Sequence, residues 1–142
     1  MFQRKVYQKL MIWKEKYASK QACLLEGARQ VGKTTIAEHF AQNEYTSYIK
    51  IDFANTTEEI LDIFSNTAKL HLLFLRLQTE TGIKLTEGES AIIFDQIQCN
   101  SKARNIAKDL VKDGRYHYIE TADFLYSNRK SEEASEYKIK MY

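Results

Sequence analysis

Residues 27–35 read Gly27-Ala28-Arg29-Gln30-Val31-Gly32-Lys33-Thr34-Thr35, and this segment is the most specific indication of the fold. Its two glycines and its Lys-Thr pair have the spacing Gly-x4-Gly-Lys-Ser/Thr. The apolar run from Ala22 to Glu26 precedes it and indicates a buried strand, while residues 33–43 follow with the periodicity of a helix. A glycine-rich loop between a strand and a helix is typical of a phosphate-binding site, and we predict one here.

Each key residue type in this loop has its own chemical role. Glycine at 27 and 32 permits backbone angles and close contacts that a Cβ would prevent, so that successive N–H groups can point into one concavity. Lys33 would place a point charge on the terminal phosphates, and the Thr34 hydroxyl would ligate Mg²⁺. The alternative is a glycine-rich turn that merely precedes a helix. We predict phosphate contacts for the whole loop: Gly27, Ala28, Arg29, Gln30, Val31, Gly32, Lys33, Thr34 and Thr35.

A phosphate-binding loop of this kind also needs an acidic residue that holds Mg²⁺ from the opposite side. Asp95 fits, because it ends the apolar strand that begins at Ala91. Alone, an aspartate after an apolar strand is usually a cap or turn residue. Both motifs lie at carboxyl ends of strands, where ligands bind in open α/β sheets, so we predict a metal site formed by Thr34 and Asp95.

The rest of the chain alternates short apolar strands with helical patterns. Further strands are predicted over 48–53, 91–95, 116–119 and 137–142, and helices after Thr57, over 70–78 and over 101–112. This alternation predicts one α/β domain over residues 1–142 with a mostly parallel sheet. Residues 127–135 are polar enough to form a mobile loop.

The N-terminal segment 1–20 is predicted to be an amphipathic helix. Its apolar stripe recurs every three or four residues: Phe2, Val6, Leu10, Trp13 and Tyr17. A basic amphipathic helix can bind a membrane surface or a partner. The alternative is a surface helix that packs its stripe on its own domain, and we favour this second interpretation because Glu15 and the glutamines dilute the basic face.

Composition excludes several other classes of protein. The 142 residues are 44% hydrophobic and 28% charged, which excludes a disordered chain, and no apolar run is long enough to cross a bilayer. The net charge of +2 does not indicate nucleic-acid binding and does not exclude it. Cys23 and Cys99 are far apart and form no metal-ligand pair, which favours a reducing, cytoplasmic location.

Several segments together carry a family resemblance. The specific ones are residues 24–35 and 92–98, and the supporting ones are 48–53, 102–104, 113–116, 118–121 and 138–142. With these segments the chain resembles the N-terminal ATPase domain of a family of predicted prokaryotic AAA+-type P-loop ATPases. The resemblance covers nearly the whole chain.

The resemblance carries several implications. It implies a three-layer α/β fold with a mainly parallel five-stranded sheet in the order 5-1-4-3-2. It implies binding of ATP or ADP with Mg²⁺, hydrolysis of ATP, and homo-oligomerisation through the nucleotide site. It gives catalytic roles to Lys33, to position 96 and to Thr121, although an ordinary strand-end threonine fits the last equally well. Family members also continue into a C-terminal domain, so we expect this chain to be a shortened form.

Two positions depart from the family pattern. Position 96 is Gln96 where the family has glutamate, and a carboxamide cannot accept a proton from the attacking water at neutral pH. After Thr121 the family usually has Gly-Ser, where this chain has Ala122-Asp123. We therefore expect ATP binding with impaired hydrolysis. The alternatives are a pseudo-ATPase that acts as a nucleotide-dependent binding module and a fragment with a vestigial loop.

Other polar residues carry weaker expectations. Arg104 and Arg115 are candidates for an arginine that reaches a neighbouring subunit's nucleotide, though an ordinary surface role is the simpler interpretation of each. Asp52 ends the second strand, where it either orients a water or caps the next helix, and we favour the cap. The three histidines have no metal-ligand spacing.

Overall fold

Strands and helices alternate in the computed structural model, which describes residues 2–66, 69–124 and 136–142. The helices are α1 (Phe2–Lys16), α2 (Lys33–Glu44), α3 (Glu58–Ser65), α4 (Leu70–Thr81) and α5 (Ser101–Asp113). The strands are β1 (Ala22–Gly27), β2 (Ser47–Asp52), β3 (Ser90–Asp95), β4 (His117–Asp123) and β5 (Glu136–Met141). The loop predicted over 127–135 and the side chain of Phe2 lie outside the described residues.

The five strands form one sheet in the order β2-β3-β4-β1-β5. Every pair of neighbours is parallel, and the order is the predicted 5-1-4-3-2 seen from the other edge. Parallel strands bring their carboxyl ends to one edge of the sheet. The residues that end β1, β2, β3 and β4 therefore lie along the same edge, namely Gly27, Asp52, Asp95 and Asp123.

Helices cover both faces of the sheet because successive strand residues point to opposite sides. Leu24 and Phe94 pack into the core formed with α3, α4 and α5, whereas Leu25 and Ile93 pack into the core formed with α1 and α2. The strands β1 and β3 are buried along their whole length, as expected for parallel strands between two helical layers. The predicted three-layer α/β architecture is confirmed.

Local signals set the ends of the later helices. The Thr57 hydroxyl accepts a hydrogen bond from the amide of Ile60 at 3.2 Å and caps α3. The Asn100 side chain does the same for α5, by accepting from the amide of Ala103 at 2.8 Å. Gly114 has φ 83° and ends α5 in the left-handed conformation that glycine adopts without strain.

Helix α1 packs on its own domain and ends earlier than the predicted residue 20. It stops at Lys16, because the chain turns there to enter β1, with the amide of Gln21 donating to the carbonyl of Tyr17 at 2.8 Å. The indole of Trp13 donates to the carbonyl of Gln21 at 2.8 Å and fastens this turn. Leu10 and Trp13 are fully buried, which supports the packing interpretation of the stripe.

Tryptophan fluorescence tests this packing directly, since Trp13 is the single tryptophan of the chain. We expect emission that is blue-shifted relative to tryptophan in water, because the indole is 0% exposed. The shift should disappear on unfolding in urea. Water-like emission from the folded protein, moving to the blue only when anionic vesicles are added, would instead support the membrane interpretation.

His117 makes stability depend on pH. Its Nδ1 lies 2.6 Å from the Tyr45 hydroxyl, and burial, followed by the positive charge of Lys14, lowers the pKa of the imidazole. The unfolded chain then binds a proton more readily than the folded chain, so stability is lost as the pH falls below about 6.5. We expect the free energy of unfolding to drop more between about pH 7 and pH 5 in the wild type than in His117→Gln. His39→Gln, at an exposed histidine, is the matched control and should follow the wild type.

Candidate functional site

The loop after β1 passes close to β5 and contains two left-handed residues. A Cβ on Gly27 would lie 2.6 Å from the carbonyl oxygen of Met141, so the approach of β5 requires glycine at this position. Gln30 and Gly32 have positive φ values of 63° and 95°, and these left-handed residues turn the backbone back on itself. Alternation of right- and left-handed residues points successive N–H groups inward and favours an anion.

Helix α2 begins at this loop with its amino end uncapped. Gly32 is the N-cap residue, and no side chain of the described residues caps the first turn. The first N–H groups of a helix have no partners within it, and the helix dipole places partial positive charge there. The start of α2 therefore fits a phosphate or another anion.

Lys33 lies over the loop and is paired within the protein. Its ammonium group donates to the carbonyl oxygens of Gly27 at 3.0 Å and Ala28 at 2.8 Å. It also lies 3.3 Å from the Asp123 carboxylate, with which it forms an ion pair. The residue is only 5% exposed, so its charge is held at the centre of the loop.

Asp95 lies beside this centre at the end of β3 and is 5% exposed. One oxygen of its carboxylate accepts hydrogen bonds from the Thr34 hydroxyl at 2.6 Å and the Thr121 hydroxyl at 2.7 Å. The structure thus brings together the two residues that the sequence predicts as metal ligands. A carboxylate and a hydroxyl are oxygen donors of the kind that Mg²⁺ prefers, and this donor set fits the ion.

Gln96 has φ 58° and its backbone amide donates to the Thr121 hydroxyl at 2.9 Å. Its side-chain carbonyl accepts a hydrogen bond from the amide group of Gln98 at 2.7 Å. The oxygen that would orient a water is therefore already held by a neighbour two residues along the chain.

Thr121 is fully buried, and its hydroxyl joins the Asp95 carboxylate to the Gln96 amide. These two contacts give it a positioning role between β3 and β4. Direct contact between Thr121 and a terminal phosphate stays a prediction.

The other residues considered from the sequence make no contact with Lys33, Thr34 or Asp95 among the hydrogen bonds and ion pairs of the described residues. The prediction that Asp52 caps the next helix is wrong, because Thr57 caps α3. The Asp52 carboxylate instead accepts from the amide of Ala54 at 2.9 Å in the turn after β2. Arg115 lies before β4, at the opposite edge of the sheet, and pairs with Asp113 at 3.3 Å. Among the described residues, no group of three or more His, Cys, Asp or Glu side chains is placed to hold a metal ion.

A cavity of about 690 Å³ lies elsewhere, beside α5, and its lining includes Arg104, Glu120 and Glu136. Burial and the neighbouring Glu136 carboxyl raise the pKa of Glu120. The lining contains no residue of the loop 27–35. The loop and this cavity are separate features, and the chemistry of the loop makes it the better candidate site.

Two contacts at the site were not found from the sequence: the ion pair of Lys33 with Asp123 and the hydrogen bond of Gln98 to Gln96. The sequence offered one signal for the ion pair, because Asp123 is an acidic residue at a position where the chain departs from the family pattern. Its proximity to the loop follows from the register of β1 with β4, in which Gly27 and Asp123 are partners.

Comparisons with known proteins identify a family and a fold. A family model described as an AAA domain matches residues 19–139. The search among curated proteins found no significant match. In the part of the chain that the structure describes, no helix is long and apolar enough to cross a membrane.

Solved structures with a similar fold include two longer proteins. PCH-2 from C. elegans is 16% identical with a TM-score of 0.53, and the alignment covers 99% of this chain and 39% of PCH-2. Pif1 helicase from Candida albicans is 14% identical with a TM-score of 0.52, over 99% of this chain and 39% of the helicase. The chain thus spans about two fifths of each relative's length. The match over residues 19–139, on a sheet whose loop and acidic strand end meet at one edge, places this chain in the AAA domain family of nucleotide-binding ATPases.

Proposed function

We propose that this domain binds ATP and Mg²⁺ at the loop 27–35 and hydrolyses ATP slowly. The observation that carries the proposal is the convergence of Lys33, Thr34 and Asp95 at the uncapped start of α2. Positioning and electrostatic stabilisation supply most of the catalysis of phosphoryl transfer, and these residues are the groups that provide both.

The phosphates would be held by the backbone of the loop together with Lys33. The N–H groups at the start of α2 supply donors, and the ammonium group supplies a charge that now rests on two carbonyl oxygens. The side chains of Ala28, Arg29, Gln30 and Val31 are not required for these contacts, because the backbone makes them.

Mg²⁺ would be held by Thr34 and Asp95, whose oxygens already lie 2.6 Å apart. When bound, the ion would supply positive charge that offsets the charge of the phosphates. Thr121 would keep the carboxylate in place, because its hydroxyl remains bonded to Asp95 from the side of β4.

Slow hydrolysis follows from Gln96. An amide can orient a water but cannot take its proton, and loss of a general base typically costs ~10²–10⁴ in rate. The contact with Gln98 at 2.7 Å further occupies the acceptor oxygen of Gln96. If turnover is negligible, the same site would serve as a nucleotide-dependent binding module, in which the bound state itself is the signal.

Homo-oligomerisation through the nucleotide site is a further part of the proposal. Many ATPases complete the site with an arginine from a neighbouring subunit. Arg115 lies at the opposite edge of the sheet from its own chain's loop, so in this arrangement it could reach only a neighbour's site. Turnover that rises with protein concentration would support such an assembly.

Substitution of the loop lysine tests nucleotide binding. We expect Lys33→Ala to weaken binding of ATP·Mg²⁺ well beyond tenfold, measured by calorimetry, because a charge on the phosphates is lost. Lys50→Ala is the matched control, since Lys50 forms its ion pair with Glu38 on the surface of the protein. Equal affinity in wild type and Lys33→Ala, with both folded by circular dichroism, would contradict the proposal.

Restoring a carboxylate at position 96 tests the cause of slow turnover. We expect Gln96→Glu to raise phosphate release by roughly 10²-fold, because glutamate has nearly the same volume and can accept the proton. Gln42→Glu adds the same charge at an exposed position near the far end of α2 and should change the rate little. No gain in Gln96→Glu at any protein concentration would mean that position 96 is not the limiting defect.

A further inference from the structure

The cation that the phosphates need is already paired with an acid of the same chain. Lys33 and Asp123 are separated by 90 residues in sequence, and their charged atoms lie 3.3 Å apart. The pairing of β1 with β4 fixes this proximity, because Gly27 and Asp123 are register partners. Asp123 therefore lies at the level of the first residue of the loop.

We propose that Asp123 acts as an internal anion that competes with the terminal phosphate for Lys33, so that the site discriminates against nucleoside triphosphate relative to diphosphate. This inference rests on the proposed function, since it concerns the same loop. Asp123 is a specificity-determining residue in this account.

Burial explains why the pair can open. The Lys33 side chain is 4% exposed, whereas the Asp123 side chain is 28% exposed. A carboxylate that reaches water can leave its partner without being stranded in the interior. Lys33 would keep the carbonyl oxygens of Gly27 and Ala28 as partners while a phosphate replaced Asp123.

Charge explains why the effect should depend on the number of phosphates. The Asp123 carboxylate lies 3.3 Å from the Lys33 ammonium group, and the Asp95 carboxylate contacts the next residue, Thr34. The hydroxyls of Thr34 and Thr121 donate to Asp95, but a phosphate oxygen placed on Lys33 would lie within a few ångströms of the Asp123 charge. Repulsion between like charges falls with distance, so a third phosphate beside Asp123 is penalised more than the phosphates deeper in the loop.

A second role for Asp123 would use the same carboxylate differently. It could take the proton of the attacking water in place of the missing glutamate at position 96, because it is a partly exposed carboxylate 3.3 Å from Lys33. That role predicts loss of turnover on substitution with little change in affinity. The ion pair favours the first role, competition with the phosphate, because the Asp123 carboxylate already occupies the Lys33 ammonium group.

Nucleotide affinities of charge-neutral variants test the proposal. Calorimetry with ADP and with ATP, each with Mg²⁺, would compare wild type, Asp123→Asn and Asp123→Ser. Asp52→Asn is the matched control, because it removes a negative charge at the same edge of the sheet while its amide oxygen can still accept from Ala54. Thermal melting of each variant would establish that it is folded.

We expect Asp123→Asn to bind ATP about tenfold more tightly and ADP at most about threefold more tightly, with Asp123→Ser behaving alike and Asp52→Asn changing neither beyond about twofold. Unchanged ATP and ADP affinities in both Asp123 variants would overturn the inference while leaving the proposed function standing. So would loss of phosphate release at unchanged affinity, which would identify Asp123 as the proton acceptor. If no variant binds either nucleotide, the proposed function fails and the inference fails with it.

Discussion

A single carboxylate, that of Asp95, holds the candidate site together. One of its oxygens accepts hydrogen bonds from Thr34 at the start of α2 and from Thr121 on β4, so the carboxylate joins three elements. Hydrogen bonds to charged groups contribute about 1.5–3 kcal/mol each, and these two are short and shielded from water. This contact ties the start of α2 to β3 and β4, and the parallel arrangement of β3 beside β4 makes it available.

The polar groups of the site satisfy one another. Lys33 rests on two loop carbonyls and on Asp123, Asp95 holds two hydroxyls, and Gln96 is held by Gln98. Any ligand must therefore exchange internal contacts for its own, and its net affinity is the difference between the two sets. Residues beyond the loop motif therefore affect selectivity, because each internal partner competes with a different part of the ligand.

The sequence was sufficient for the fold and for most of the site, since both depend on local signals. The spacing of the glycines and the Lys-Thr pair in the loop 27–35 is specific to phosphate-binding loops. Buried strands such as 91–95 are visible in the sequence as continuous apolar runs. The ion pair of Lys33 with Asp123 depends instead on the register between two strands that are far apart in sequence. Likewise, the early end of α1 follows from a turn fastened by the Trp13 indole, a tertiary contact that periodicity does not encode.

A crystal structure of the chain with ADP and Mg²⁺ would show directly whether the loop 27–35 and Asp95 form a nucleotide site. We expect phosphates on the N–H groups at the start of α2, Mg²⁺ on oxygens of Thr34 and Asp95, and a phosphate oxygen among the contacts of the Lys33 ammonium. Nucleotide bound elsewhere on the protein, with Lys33 still on Gly27, Ala28 and Asp123 and with no ion on Asp95, would contradict this expectation.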